Sequence, residues 1–157
     1  MQGGYTGKIL RINLTDASIS EEPLSEEMAQ AFIGGAGFGI KYLYDELAAG
    51  IDPLGPDNKL VFAPGPFSGT TVPCASRMAV ASKSPLTGTV AVALSGGHFP
   101  VELKFAGYDA LIIEGNSPKP TYLWIKDGEV RFRSAGKLWG LTTSDCQQVI
   151  KNELKDQ

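Results

Sequence analysis

The chain opens on a strand pattern. Residues 8–13 (KILRIN) alternate apolar and polar side chains, and 17–19 follow a short turn at Thr15-Asp16, which predicts a β-hairpin. A short helix is predicted over 25–32, with Ser25 as N-cap, Glu26 and Glu27 in the first turn and Gly34 at the end. Residues 39–47 (GIKYLYDEL) place Ile40, Leu43, Tyr44 and Leu47 on one helix face. Beyond the turn-rich IDPLGPDN, apolar runs predict strands over 60–63, 78–82 and 89–94, the last two joined by the turn Ser84-Pro85-Leu86-Thr87-Gly88. A short helix over 102–106 precedes the strongly apolar strand 110–114 (ALIIE). Strands over 121–125 and 129–133 pair across Asp127-Gly128, a two-residue hairpin signal. A final helix runs over 143–154. Seven or eight strands with a few short helices, in no regular alternation, indicate an α+β fold and not a doubly wound sheet.

Composition supports a globular chain. Of 157 residues, 43% are hydrophobic and 20% charged, enough for a real core. The 19 glycines and 10 prolines sit between apolar runs, as turns and close-approach points of a β-rich fold do. The net charge is −3 and no Lys/Arg run stands out, which argues against nucleic acid as a partner. No segment approaches the roughly 18 apolar residues that would span a bilayer, and the opening MQGGYTGKILRINLT lacks the pattern of a secretory leader. Two cysteines, Cys74 and Cys146, fit a reduced cytoplasmic protein better than a disulfide scaffold. One histidine, His98, makes no zinc cluster, and an iron–sulfur cluster normally takes four thiolates, more than this chain has. The ending at Lys155-Asp156-Gln157 follows the last helix without a compact close, which reads as a piece of a longer polypeptide.

Few side chains suggest chemistry. Gly34-Gly35-Ala36-Gly37-Phe38-Gly39 precedes a helix, where glycines can cradle phosphate. A dinucleotide fingerprint needs G-x-G-x-x-G after a strand, and neither condition holds, so a tight helix–helix connection is the better reading. Lys83 and Lys104 lack the neighbours of a Schiff-base lysine and read as surface or helix lysines. His98 reads equally as a general base or as a structural residue, and Cys74 as a buried thiol. No Ser/His/Asp or Cys/His set assembles for a hydrolase. Arg77, just before a strand, offers five donors in a rigid fork. Ser95-Gly96-Gly97, ending another strand, is a turn whose backbone N–H groups can approach a phosphate. The two together are a candidate binding face.

Several motifs occur in order: TGKILRINLT at 6–15, FIGGAGFGIKYLYDEL at 32–47, IDPLGPDNKLVFAPGPFSGT at 51–70 and ASRMAVASKSPLTGT at 75–89. SGGHF at 95–99, ELKFAGYDALIIEG at 102–115, YLWI at 122–125 and LWG at 138–140 complete the set. Across residues 1–157 the sequence resembles the N-terminal domain of the tungsten-dependent aldehyde ferredoxin oxidoreductase family. The resemblance implies a β-rich domain with two sheets and a few short helices, on which a bis-pterin tungsten or molybdenum cofactor rests. It implies aldehydes as substrates, ferredoxin as electron acceptor, and C-terminal domains that carry the [4Fe–4S] ligands and the acid/base residues. Arg77 matches the arginine between pterin and cluster. Leu94, Ser95, Gly96 and Gly97 match the turn against the pterin phosphates, with the Leu94 backbone carbonyl reaching a phosphate-bridging Mg²⁺. Three departures from the family pattern stand out: Leu94 replaces asparagine, Pro100-Val101 replaces Gly-Pro, and Ala36 replaces an arginine. The chain alone is then not expected to be active. It is expected to expose an apolar or glycine-lined face where cofactor and partner domains would sit, and through which it can self-associate as a homo-oligomer. The alternative is a stand-alone accessory or scaffold protein that kept the fold and lost the cofactor.

Overall fold

The computed structural model describes residues 3–154; Lys155-Asp156-Gln157, on which the reading of an abrupt ending falls, lie outside them. The elements run β1 (Lys8–Asn13), β2 (Ser18–Pro23), α1 (Glu26–Phe32), α2 (Ala36–Glu46), β3 (Lys59–Pro64), β4 (Arg77–Lys83) and β5 (Val90–Gly96). They continue through α3 (Phe99–Phe105), β6 (Ala110–Glu114), β7 (Thr121–Lys126), β8 (Glu129–Ser134) and α4 (Thr143–Leu154). Six strands form one sheet in the order β2-β1-β6-β3-β4-β5, and β7 and β8 form a second. Within the large sheet only β1 and β6 pair in parallel, Ile9 opposite Ala110. The expected α+β fold with two sheets is what the chain adopts.

Strand alternation builds three layers. Ile9, Val61, Ala63, Ala81, Ala110 and Ile112 point to one face of the sheet and pack beneath α1 and α2 against Ala29, Phe38 and Leu43. Leu10, Ile12 and Leu111 point to the other face, where Leu103 of α3 and Tyr108 join them under the β7–β8 hairpin. Each large apolar side chain so buried contributes roughly 1.5–3 kcal/mol. α4 adds no buried residue and meets the hairpin through Glu153, which accepts from Tyr122 and Arg133 at 3.1 Å each.

Polar devices set the element ends. Ser25 caps α1 as predicted, accepting from the Met28 amide at 3.1 Å. At the β7–β8 turn, Asp127 and Gly128 have φ of 51° and 79°, the geometry a two-residue hairpin demands. β2 extends past residue 19 to Pro23, because Glu21 and Glu22 pair with Lys8 and Arg11 across the strand. α3 begins at Phe99 rather than at 102; Pro100 fits its first turn, where no amide is needed.

The glycine run corrects the expected helix start. The connection is only residues 33–35, and α2 starts at Ala36 with Gly37 and Gly39 inside it. A Cβ at Gly37 would lie 2.1 Å from the Phe32 carbonyl oxygen, and one at Gly39 would lie 2.6 Å from the Ala81 Cβ. These glycines let α2 press against α1 and the sheet.

Of the two readings of Lys104, the helix one holds: it lies in α3, buried and not at the surface, and pairs with Asp109, the two side chains being 6% and 2% exposed. The ammonium also donates to the Gly4 carbonyl, and Asp109 accepts from the amides of Thr6 (3.0 Å) and Gly7 (2.7 Å). A charge can be buried here because a complete set of partners surrounds it.

Tyr108, 1% exposed, donates to Glu21 at 2.8 Å. Burial, and then the bond to Glu21, push its phenol up to about 12. The folded state therefore favours the neutral phenol. That contribution is complete below the unfolded value of about 10 and is lost as pH rises through the folded value. Tyr108→Phe is expected to flatten the fall in melting temperature across this alkaline window; parallel curves for variant and parent would contradict it.

Candidate functional site

The antiparallel register brings the start of β4 against the end of β5, with Arg77 opposite Gly96 and Ala79 opposite Leu94. Arg77, Leu94 and Gly96 therefore share the sheet face that carries α2, whereas Ser95, opposite Met78, points to the other. The Arg77 side chain lies along Gly96: a Cβ there would be 3.5 Å from Nη1 and 3.6 Å from Cδ, and 3.2 Å from the Ser76 carbonyl oxygen. An added carbon would crowd the Ser76 carbonyl and take up the contact surface of the Arg77 side chain. Gly97 follows with φ of 88°, left-handed backbone that glycine adopts without strain.

The loop before Arg77 is folded tightly under it. The Gly65 amide donates to the Arg77 carbonyl at 3.0 Å, and the Arg77 amide to the Ala75 carbonyl at 2.9 Å. Ser68, 1% exposed, sets its hydroxyl 3.1 Å from both the Ala75 and the Arg77 carbonyls. The Ser76 hydroxyl donates across to the Gly97 carbonyl and ties the two strand ends together. Ser68 and Ser76 were not singled out from the sequence, where a serine in a glycine-rich loop carries no signal of its own.

The N-terminus of α2 arrives at the same end of the sheet. The Gly35 amide donates to the Pro64 carbonyl at 3.3 Å, next to Gly65. The first turn of α2, residues 64–65, Arg77 and residues 96–97 thus form one glycine-lined rim. Arg77 is exposed, and among the described residues no carboxylate pairs with it. A guanidinium with its donors free, beside backbone that a side chain would block, suits a flat anionic or phosphate-bearing group. Such a group fits the residues present.

The remaining candidates lie elsewhere or are differently employed. Leu94 is 74% exposed on β5. The Ser95 hydroxyl has only a 3.5 Å contact, to the Gly96 carbonyl. His98 sits at the N-cap of α3 without a side-chain capping bond. Lys83 donates to the Ile51 carbonyl at 2.6 Å. Cys74 is exposed, contrary to the buried thiol expected: it occupies an outer turn of the loop with φ of 58°, away from both cores. At the opposite end of the sheet a cavity of about 550 Å³ is lined by Glu46, Lys59 and Glu114. The charges of these three are consumed internally, since Arg11 bridges Glu22 and Glu46, and Lys59 pairs with Glu46 and Glu114. No helix among the described residues is long and apolar enough to cross a membrane.

Comparison with known proteins gives this arrangement a family. A tungsten-containing aldehyde ferredoxin oxidoreductase of Pyrococcus abyssi is 51% identical over 98% of the chain, and one of Pyrococcus horikoshii is 49% identical over the same share. The chain spans about a quarter of the length of each relative. The solved active-site complex BamBC of benzoyl coenzyme A reductase, in complex with 1,5-dienoyl-CoA, superposes with a TM-score of 0.96 at 35% identity. It matches 99% of this chain and 24% of that one. The family profile "Aldehyde ferredoxin oxidoreductase, N-terminal domain" matches residues 9–157. With nearly the whole chain matched and the fold shared throughout, the protein belongs to the aldehyde ferredoxin oxidoreductase N-terminal-domain family.

Proposed function

We propose that residues 1–157 are the cofactor-cradling N-terminal domain of a tungsten or molybdenum bis-pterin oxidoreductase that oxidises aldehydes to carboxylic acids with ferredoxin as acceptor. The observation that carries this reading is the unpaired Arg77 guanidinium laid along Gly96 beside the Gly97 turn. When bound, the metal and its two pterins supply the redox chemistry. Arg77 holds an anionic edge of the group by charge-assisted hydrogen bonds. Ser68, Ser76 and Gly65 keep the Arg77 backbone fixed, so the fork is oriented before the group arrives. Gly96 and Gly97 would let the group approach the main chain, Ser95 borders the same turn, and the Leu94 carbonyl would be the contact of an accompanying Mg²⁺. The [4Fe–4S] ligands and the residues that move protons belong, in this reading, to further domains of the same enzyme, so the chain does not turn over substrate alone.

The test is Arg77→Ala in the assembled enzyme, with tungsten, molybdenum and pterin measured per polypeptide. A hydrogen bond to a charged group is worth about 1.5–3 kcal/mol, so retention is expected to weaken by about ten- to a hundredfold. Arg77→Lys recovers only part of the loss, because an ammonium cannot reproduce the fork. Unchanged metal content in Arg77→Ala would overturn the site assignment, and a parent protein that holds neither metal nor pterin would favour the accessory-protein reading.

A further inference from the structure

The six-stranded sheet ends differently at its two edges. β2 is guarded: Glu21 and Glu22 are ion-paired, and Pro23 closes the strand. β5, at the other edge, reads VAVALSG with neither charge nor proline, and Val90, Val92 and Leu94 are 46%, 39% and 74% exposed. A bare apolar edge is what proteins cover or blunt with charge. Helix α2 widens the surface. Its flank toward β1 carries Tyr42 and Glu46, both of which meet Arg11. Ile40 and Tyr44, one turn apart, lie on the opposite flank, toward β4 and β5, and are 48% and 83% exposed. Val92 and Leu94 share their sheet face with Ala81 and Ala79, on which α2 rests at Gly39. Strand edge and helix flank are one continuous apolar strip.

We infer that this strip is the seat of the remainder of the enzyme, whose docking surface is apolar and closes over β5 and the Ile40–Tyr44 flank. The inference rests on the proposed reading of the chain as one part of a larger redox enzyme, and it adds where the other part sits. Two observations select that occupant over a second copy of this chain. β5 runs without a break into Ser95, Gly96 and Gly97, so a body that covers Leu94 also stands beside the cradle and shields it from water. The relatives, of which this chain matches 25%, carry about three-quarters of their length outside the matched segment, ample polypeptide to supply such a body.

Hydroxyl-radical footprinting of the assembled enzyme, read by mass spectrometry, tests this at Tyr44. Buried Tyr108, 1% exposed, is the internal reference. Tyr44 is expected to react as slowly as Tyr108, having lost the reactivity its exposure in this chain implies. Val92→Cys gives a second reading at the strand and is expected to resist alkylation until the enzyme is unfolded. Rapid reaction at both positions would overturn the inference. Protection that disappears on dilution to single protomers would also overturn it, by assigning the strip to a second copy. The readout is independent of cofactor content. Protection of Tyr44 together with full metal retention in Arg77→Ala would keep the seat and remove the cradle.

Discussion

Lys104→Met is expected to lower the stability of the chain by about 3–5 kcal/mol, the cost of leaving one member of a buried ion pair without the other. The ammonium has no solvent to fall back on. It is enclosed by the Asp109 carboxylate, the Gly4 carbonyl and the face of the Tyr5 ring, 5.6 Å away. Methionine fills much the same volume, so the loss reports the charge and not a cavity. Asp109 would keep the Thr6 and Gly7 amides but would stand as an uncompensated anion. Denaturant titration measures the loss, and a change below about 1 kcal/mol would show that the pair behaves as a surface ion pair does. Combining Lys104→Met with Asp109→Leu is expected to recover part of the stability, because no buried charge then remains. The residue 4–7 segment held by this pair packs against Pro66, where a Cβ at Gly4 would lie 1.7 Å from the carbonyl oxygen. Loosening it therefore reaches the loop that leads into Arg77.

Gly37→Ala is expected to destabilise the chain by about 3 kcal/mol, at the upper end for overpacking. The sign is the informative part, since glycine to alanine within a helix ordinarily gains about 0.5–1 kcal/mol. Here the added carbon would meet the Phe32 carbonyl oxygen at 2.1 Å. That oxygen belongs to the backbone at the end of α1, where Gly34 and the Ile33 amide are already committed to hydrogen bonds. The melting temperature should fall by about 6–12 °C for a chain of this size. A variant that melts at or above the parent would show that the end of α1 moves aside freely.

What the sequence disclosed follows the range of the interactions involved. The Asp127-Gly128 hairpin, the Ser25 cap and the ALIIE strand were legible, because turn chemistry, a capping hydroxyl and an apolar run act within a few residues. β2 was read too short, since SEEP carries no apolar alternation and is held in the sheet by ion pairs to β1. Gly37 was read as connection and Gly39 as the edge of the helix, because nothing local says that Phe32 and Ala81 will crowd them. The burial of Lys104 was hidden for the same reason: it depends on Gly4, about 100 residues away in sequence. At the candidate site, residue chemistry drew attention to Arg77 and Ser95-Gly96-Gly97 and the family resemblance added Leu94, but neither gave their arrangement. Register alone divides them, with Arg77, Leu94 and Gly96 on one face and Ser95 on the other.

The strand order also governs when the sheet can exist. β6 lies between β1 and β3, yet it is the last of the six strands to be synthesised. Until Ala110–Glu114 emerges, the β1–β2 hairpin and the β3–β4–β5 meander are separate pieces, each with an interior edge open to water. Both pieces wait for one five-residue insertion whose partners on β1 lie about 100 positions earlier in the chain. Such non-local closure is slow compared with forming a hairpin, and the open intermediate is the state most prone to aggregate. The nascent chain thus spends its period of greatest exposure just before the apolar run ALIIE leaves the ribosome.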